Sequence, residues 1–167
     1  LGDQPGSGEA RDLLGLSLQA LGKQEQAEKE LLEAIRLSPD RSEAWDHLAA
    51  LYYQRGQTDE AVRCWTEASR RSPTYAPSRY NLGSVYMAGG RLEEAAVQFQ
   101  EALRLDPAML VARINLGVVL VSLSRFPEAE KELQAATRLA PSDPEVAYNL
   151  GAAYTAARKT PQAVKEL

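Results

Sequence analysis

Tyr80-Asn81-Leu82-Gly83-Ser84-Val85-Tyr86 returns along the chain every 34 residues. One period on it becomes Ile114-Asn115-Leu116-Gly117-Val118-Val119-Leu120, and a second period gives Tyr148-Asn149-Leu150-Gly151-Ala152-Ala153-Tyr154. Going backwards gives Asp46-His47-Leu48-Ala49 and Asp12-Leu13-Leu14-Gly15. The register never slips. Other positions keep step with it: Ala27, Ala61, Ala95, Ala129 and Ala163; Ala34, Ala68, Ala102 and Ala136; Pro39, Pro73, Pro107 and Pro141. A fixed period of this length is the mark of stacked supersecondary units.

Each period reads as two helices. Leu82, Val85 and Tyr86 follow Pro77 at helical spacing. Gly89-Gly90 breaks that helix. Leu92, Ala95, Ala96, Phe99, Ala102 and Leu103 resume the helical period until Asp106-Pro107, where the residue before proline is driven from helical geometry. Thr58 and Thr160 are expected N-caps. Pro127, Pro144 and Pro161 suit first turns, where no N–H is needed.

The small residues predict close packing. Glycine inside a helix costs about 1 kcal/mol relative to alanine, so Gly15, Gly83, Gly117 and Gly151 need an offset. Close approach of the second helix of the same hairpin supplies it, with Leu31, Trp65, Phe99 and Leu133 filling the gap. One hairpin cannot bury both of its faces, so hairpins stack into a solenoid.

These residues resemble the tetratricopeptide repeat family, whose pattern is W-x2-L-G-x2-Y followed by alanine, an aromatic, alanine and proline. The second unit has Trp45, Leu48, Ala49, Tyr52, Ala61, Trp65, Ala68 and Pro73. The third has Leu82, Gly83, Tyr86, Ala95, Phe99, Ala102 and Pro107. Arg11, Arg79 and Arg113 replace the family's tryptophan, and Leu18 and Leu120 its tyrosine, which is expected to weaken those units. The resemblance implies an all-α fold, a right-handed superhelical solenoid of antiparallel helix hairpins. Repeats are expected at 8–41, 42–75, 76–109 and 110–143, with an incomplete one at 144–167 and the tail of a preceding one at 1–7. That framing reads as a window on a longer array, and the exposed end faces are expected to stack on neighbours.

The resemblance also implies that the first helices line a concave groove. Around Asn81 this face holds Tyr80 and Ser84; further on it holds Ile114, Asn115, Val118, Val121, Tyr148 and Asn149; upstream it holds Asp12, Asp46 and His47. An amide offers both donor and acceptor, so a row of Asn81, Asn115 and Asn149 could pair with the backbone of an extended peptide. The row is similar to the asparagine ladder of O-linked N-acetylglucosamine transferases. It could equally bond within each hairpin. Tyr80, Ile114, Val118, Val121 and Tyr148 read either as an apolar groove floor or as packing between hairpins. Glu9, Asp12, Glu43 and Asp46 read as an acidic mouth or as solvated surface. Together they fit a partner segment with a basic end and an apolar body. The family's chaperone-tail clamp of Lys, Asn and Arg is absent: its places hold Asp12, Leu16 and Asp46, or Tyr80, Ser84, Ile114 and Asn115.

Composition narrows the rest. Of 167 residues 44% are apolar and 25% charged, with net charge −4, a folded rather than disordered balance. Residues 1–75 carry 13 acids and 9 bases, and 76–167 carry 10 of each. That is no nucleic-acid signature. The most apolar run, Leu116 to Leu123, is far shorter than the ~18 residues of a membrane span. The start of the chain shows no signal-peptide pattern, and targeting information could lie beyond the ends of the window. The expected compartment is the cytoplasm. A single histidine, His47, and a single cysteine, Cys64, make neither a metal cage nor a nucleophile–base pair. No cofactor is expected. The chain reads as a non-enzymatic scaffold holding a peptide or protein partner. Alternatives are the recruiting arm of a larger enzyme, such as a glycosyltransferase, and a self-assembling array.

Overall fold

The computed structural model describes residues 7–159. Among these residues are nine α-helices and no strand: α1 Gly8–Ala20, α2 Gln24–Leu37, α3 Ser42–Gln54, α4 Thr58–Arg71, α5 Ala76–Ala88, α6 Leu92–Leu105, α7 Leu110–Ser122, α8 Phe126–Leu139 and α9 Pro144–Lys159. The chain divides into two compact units, Leu1–Ser78 and Arg79–Leu167. In the first, α1 packs on α2 and α3 on α4, and α2 packs against α3. In the second, α7 packs on α8, α6 against α7, and α8 and α7 against α9. The fold is therefore all-α, built of helical hairpins. The readings of Thr160, Pro161 and Ala163, and of the tail at 1–6, lie outside the described residues.

Side-chain size sets the helix spacing. Ala27, Ala34, Ala61, Ala68, Ala95, Ala102, Ala129 and Ala136 are all fully buried on the second helices. Opposite them Gly15, Gly83 and Gly117 leave notches, whereas Gly151 meets no second helix among the described residues. A Cβ on Gly15 would sit 2.7 Å from Leu31 Cγ, one on Gly83 2.7 Å from the Phe99 ring, and one on Gly117 2.6 Å from Leu133 Cγ. These separations are far inside van der Waals contact, so the helical penalty of each glycine is the condition for closing the hairpin.

The turns within hairpins share one hydrogen-bond pattern. Lys23 N–H donates to the Leu18 carbonyl and Gly22 N–H to Gln19; Gln57, Arg91 and Arg125 repeat the first bond onto Tyr52, Tyr86 and Leu120. This six-to-one closure puts a left-handed residue after the helix. Gly22, Gly56 and Gly90 fill that place with φ of 73–75°, and Ser124 fills it at φ 59°. The closure also fixes where the next helix starts. Thr58 is the first helical residue of α4, and its N-cap is Gln57, which makes no side-chain capping bond. Thr58 is thus not the cap that its residue type predicts. Acidic residues in the first turn, such as Glu25, Asp59 and Glu93, offset the bare N-termini instead. Pro127 and Pro144 do occupy first turns.

Candidate partner-binding faces

In the second unit the residues expected to face a groove separate by burial. Tyr148 on α9 is 76% exposed, and Val111 and Val118 on α7 are also exposed. Ile114 lies between them in sequence but is only 3% exposed, packed with Ala136 and Val146. It belongs to the core rather than to an open floor, because α9 lies against α7 at that level. Val121 is half-buried against the cluster around Leu116 and Leu120. Tyr80 is half-buried too, its ring 5.9 Å from that of Phe99.

The polar groups on this face differ in their engagement. Ser84 Oγ donates to the Tyr80 carbonyl at 3.0 Å, within its own helix. Asn149 Nδ2 donates to the Glu145 carbonyl at 3.0 Å, within its own helix. Asn115 is half-buried, with no side-chain hydrogen bond among the described residues. Asn81 is half-buried and engaged.

In the first unit the expected acidic mouth is a charge cluster closed on itself. Asp12 on α1 is 1% exposed. His47 Nδ1 on α3 lies 2.7 Å from its Oδ1. Arg41, just before α3, brings Nε to 3.6 Å from Asp12 Oδ2 and also reaches Glu9 at 3.6 Å and Glu43 at 3.9 Å. Asp12 is therefore an internal acceptor and not a rim charge, and Asp46 is likewise engaged. Burial would lower the His47 pKa, but its hydrogen bond to Asp12 and the charges of Asp12 and Asp46 outweigh burial and the opposing Arg41, so the pKa is raised. Tyr75 completes the surroundings. Burial pushes its phenol up, helped by Asp46, Glu43 and Asp12. Arg41 and Tyr75 escaped a reading restricted to first-helix positions, because both precede a helix. The one available signal was an arginine directly ahead of Glu43 and Asp46.

A repeat of helical hairpins with small residues at every crossing defines a helical-repeat protein. Tetratricopeptide repeat profiles match residues 13–62 and 47–109, and a second such profile matches 86–153. The chain belongs to the tetratricopeptide repeat family. Similar solved structures are MamA (TM-score 0.81, 20% identity, 97% of this chain and 88% of that one) and PilF of Pseudomonas aeruginosa (0.78, 25%, 91% and 69%). A third is YrrB, described as a TPR protein with an unusual peptide-binding site (0.76, 21%, 93% and 80%). No curated protein matches the sequence. No helix among the described residues is long and apolar enough to cross a membrane.

Proposed function

We propose that the chain is a non-catalytic interaction scaffold whose second unit holds an extended peptide segment with an apolar body on the first-helix face of α7 and α9. The carrying observation is the face of α7, where Val111 and Val118 are exposed on either side of the half-buried Asn115 amide. Apolar side chains left in water beside a polar group that can pair with a backbone mark a partner surface. Asn115 and Asn149 each retain amide capacity for a peptide backbone. The peptide-binding site ascribed to YrrB gives this reading a precedent within the fold. Recruitment of a partner to a larger enzyme would use the same face.

His47 is occupied by Asp12, and burial pushes the Cys64 thiol up to about 11. No group of three metal-ligating side chains occurs among the described residues.

A peptide array carrying apolar, basic–apolar and acidic sequences tests the proposal. Wild-type protein is expected to select the apolar-bodied peptides. The double change Val111→Ser, Val118→Ser and the triple change Asn81→Ala, Asn115→Ala, Asn149→Ala should each weaken capture at least about tenfold, the loss of a good anchor. Unaltered capture by both variants would overturn it.

A further inference from the structure

We propose that Asp12 and His47 form a proton-dependent latch between α1 and α3, tight while the imidazole is charged and loosened when it loses its proton. The inference is independent of the peptide reading, which concerns the other unit. Its basis is geometric. Asp12 is almost wholly removed from water, and its one side-chain hydrogen bond at normal length is to His47 Nδ1 across the α1–α3 boundary. A buried carboxylate needs a compensating charge nearby.

The charges facing this pair come from every element around it. Glu9 lies on α1 beside Asp12; Arg41 precedes α3; Glu43 and Asp46 lie on α3; Tyr75 lies in the segment after α4. Glu9, Asp12 and Glu43 thus share the Arg41 guanidinium. A protonated His47 adds a second cation against Asp12. Arg41 opposes that proton but sits 3.6 Å from Asp12, farther than the imidazole.

The direction of the pH effect follows. A histidine whose folded pKa is raised contributes stability that is fully present below its ordinary value of about 6.5 and is lost as pH climbs through the folded value. The neutral ring still places Nδ1 against Asp12, so the contact loosens instead of opening.

His47 is the single histidine of the chain, so its imidazole NMR resonances report the latch without ambiguity. The wild-type midpoint should lie above the ordinary histidine value of about 6.5 and fall in Asp12→Asn. Amide exchange of α1, corrected for intrinsic base catalysis, should lose protection between about pH 6 and 8. His47→Gln should remove that pH dependence. A wild-type midpoint at or below the ordinary value, or a His47→Gln profile parallel to wild type, would overturn the latch. If Asp12→Asn does not fold, the His47→Gln arm decides.

Discussion

Trp45 and Arg113 make the same contact from equivalent places in their hairpins. The indole Nε1 of Trp45 donates to the Pro39 carbonyl at 3.0 Å, and Nη2 of Arg113 donates to the Pro107 carbonyl at 2.8 Å. Arginine therefore takes over the donor work of the family's tryptophan and ties the start of its hairpin to the proline turn behind it. It adds a second tie. Arg113 Nη1 meets Glu132 at 2.5 Å, Arg11 meets Glu30 at the same distance, and Arg79 meets Gln98 at 3.1 Å. The hairpin that keeps tryptophan has Cys64 where the others have the acceptor. The expected weakening by arginine has no counterpart in these contacts.

Arg113→Ala should accordingly destabilise the protein by about 1–3 kcal/mol, the range for a lost charge-assisted bond in a mostly buried pair. Chemical denaturation of Arg113→Ala, Glu132→Ala and the double variant would isolate the coupling, expected at about 0.5 kcal/mol or more. Strict additivity would show that the pair contributes nothing beyond its separate packing.

Gly117 is required by Leu133, and this makes its substitution informative. A methyl group there would lie 2.6 Å from Leu133 Cγ. Gly117→Ala should lose about 1–3 kcal/mol through overpacking, despite the gain in helix propensity. Gly89→Ala is the control, since its Cβ would meet only carbonyl oxygens at 3.5 and 3.6 Å. It should be neutral, or stabilise by about 0.4–1 kcal/mol through the unfolded chain. Equal melting temperatures for the two variants would refute the notch argument.

Ser124 holds a left-handed conformation that the three equivalent turns assign to glycine. A side chain in that region costs about 1 kcal/mol. Ser124→Gly should raise the melting temperature by about 2–4 °C, the shift that such a gain produces in a protein of this size. A lower melting temperature would mean that the serine contributes something the backbone geometry does not show.

The contrast among these residues shows what a sequence of this kind reveals. Gly15, Gly83, Gly117 and the alanine grid were legible because steric exclusion acts on residue type alone: only a small side chain fits the crossing, whatever surrounds it. Thr58 misled because a helix start after a six-to-one closure is set by the preceding left-handed residue, not by the residue able to cap. Ile114 and Val118 both read as groove floor, yet one is core and the other exposed. The difference is whether a later helix covers the position, which period alone does not encode. Asp12 read as a surface acid because its partners, His47 and Arg41, come from the next hairpin.

Asn149 separates binding from stability. Its amide hydrogen bond stays within one exposed helical turn, so Asn149→Ala should alter unfolding free energy by no more than about 0.5 kcal/mol. Its effect on peptide capture should be larger. A variant that loses stability and capture together would assign Asn149 to the hairpin and not to the partner.

Cys64 tests the opposite case, a reactive group made inert by its surroundings. The side chain is buried on α4, and burial, reinforced by Glu60 and Glu67 against Arg63, raises its thiol pKa to about 11. At pH 9 such a thiol is ionised about one time in a hundred, while a thiol of ordinary pKa is more than half ionised. Iodoacetamide should therefore label the native protein at pH 9 at least about 50-fold more slowly than the protein unfolded in urea. Because the unfolded thiol ionises first, stability should also decline as pH climbs above the ordinary thiol value. Cys64→Ala should flatten that decline, at the expense of some packing. Labelling of native protein within a few-fold of the unfolded rate would show that α4 opens far more readily than its buried Ala61, Trp65 and Ala68 require.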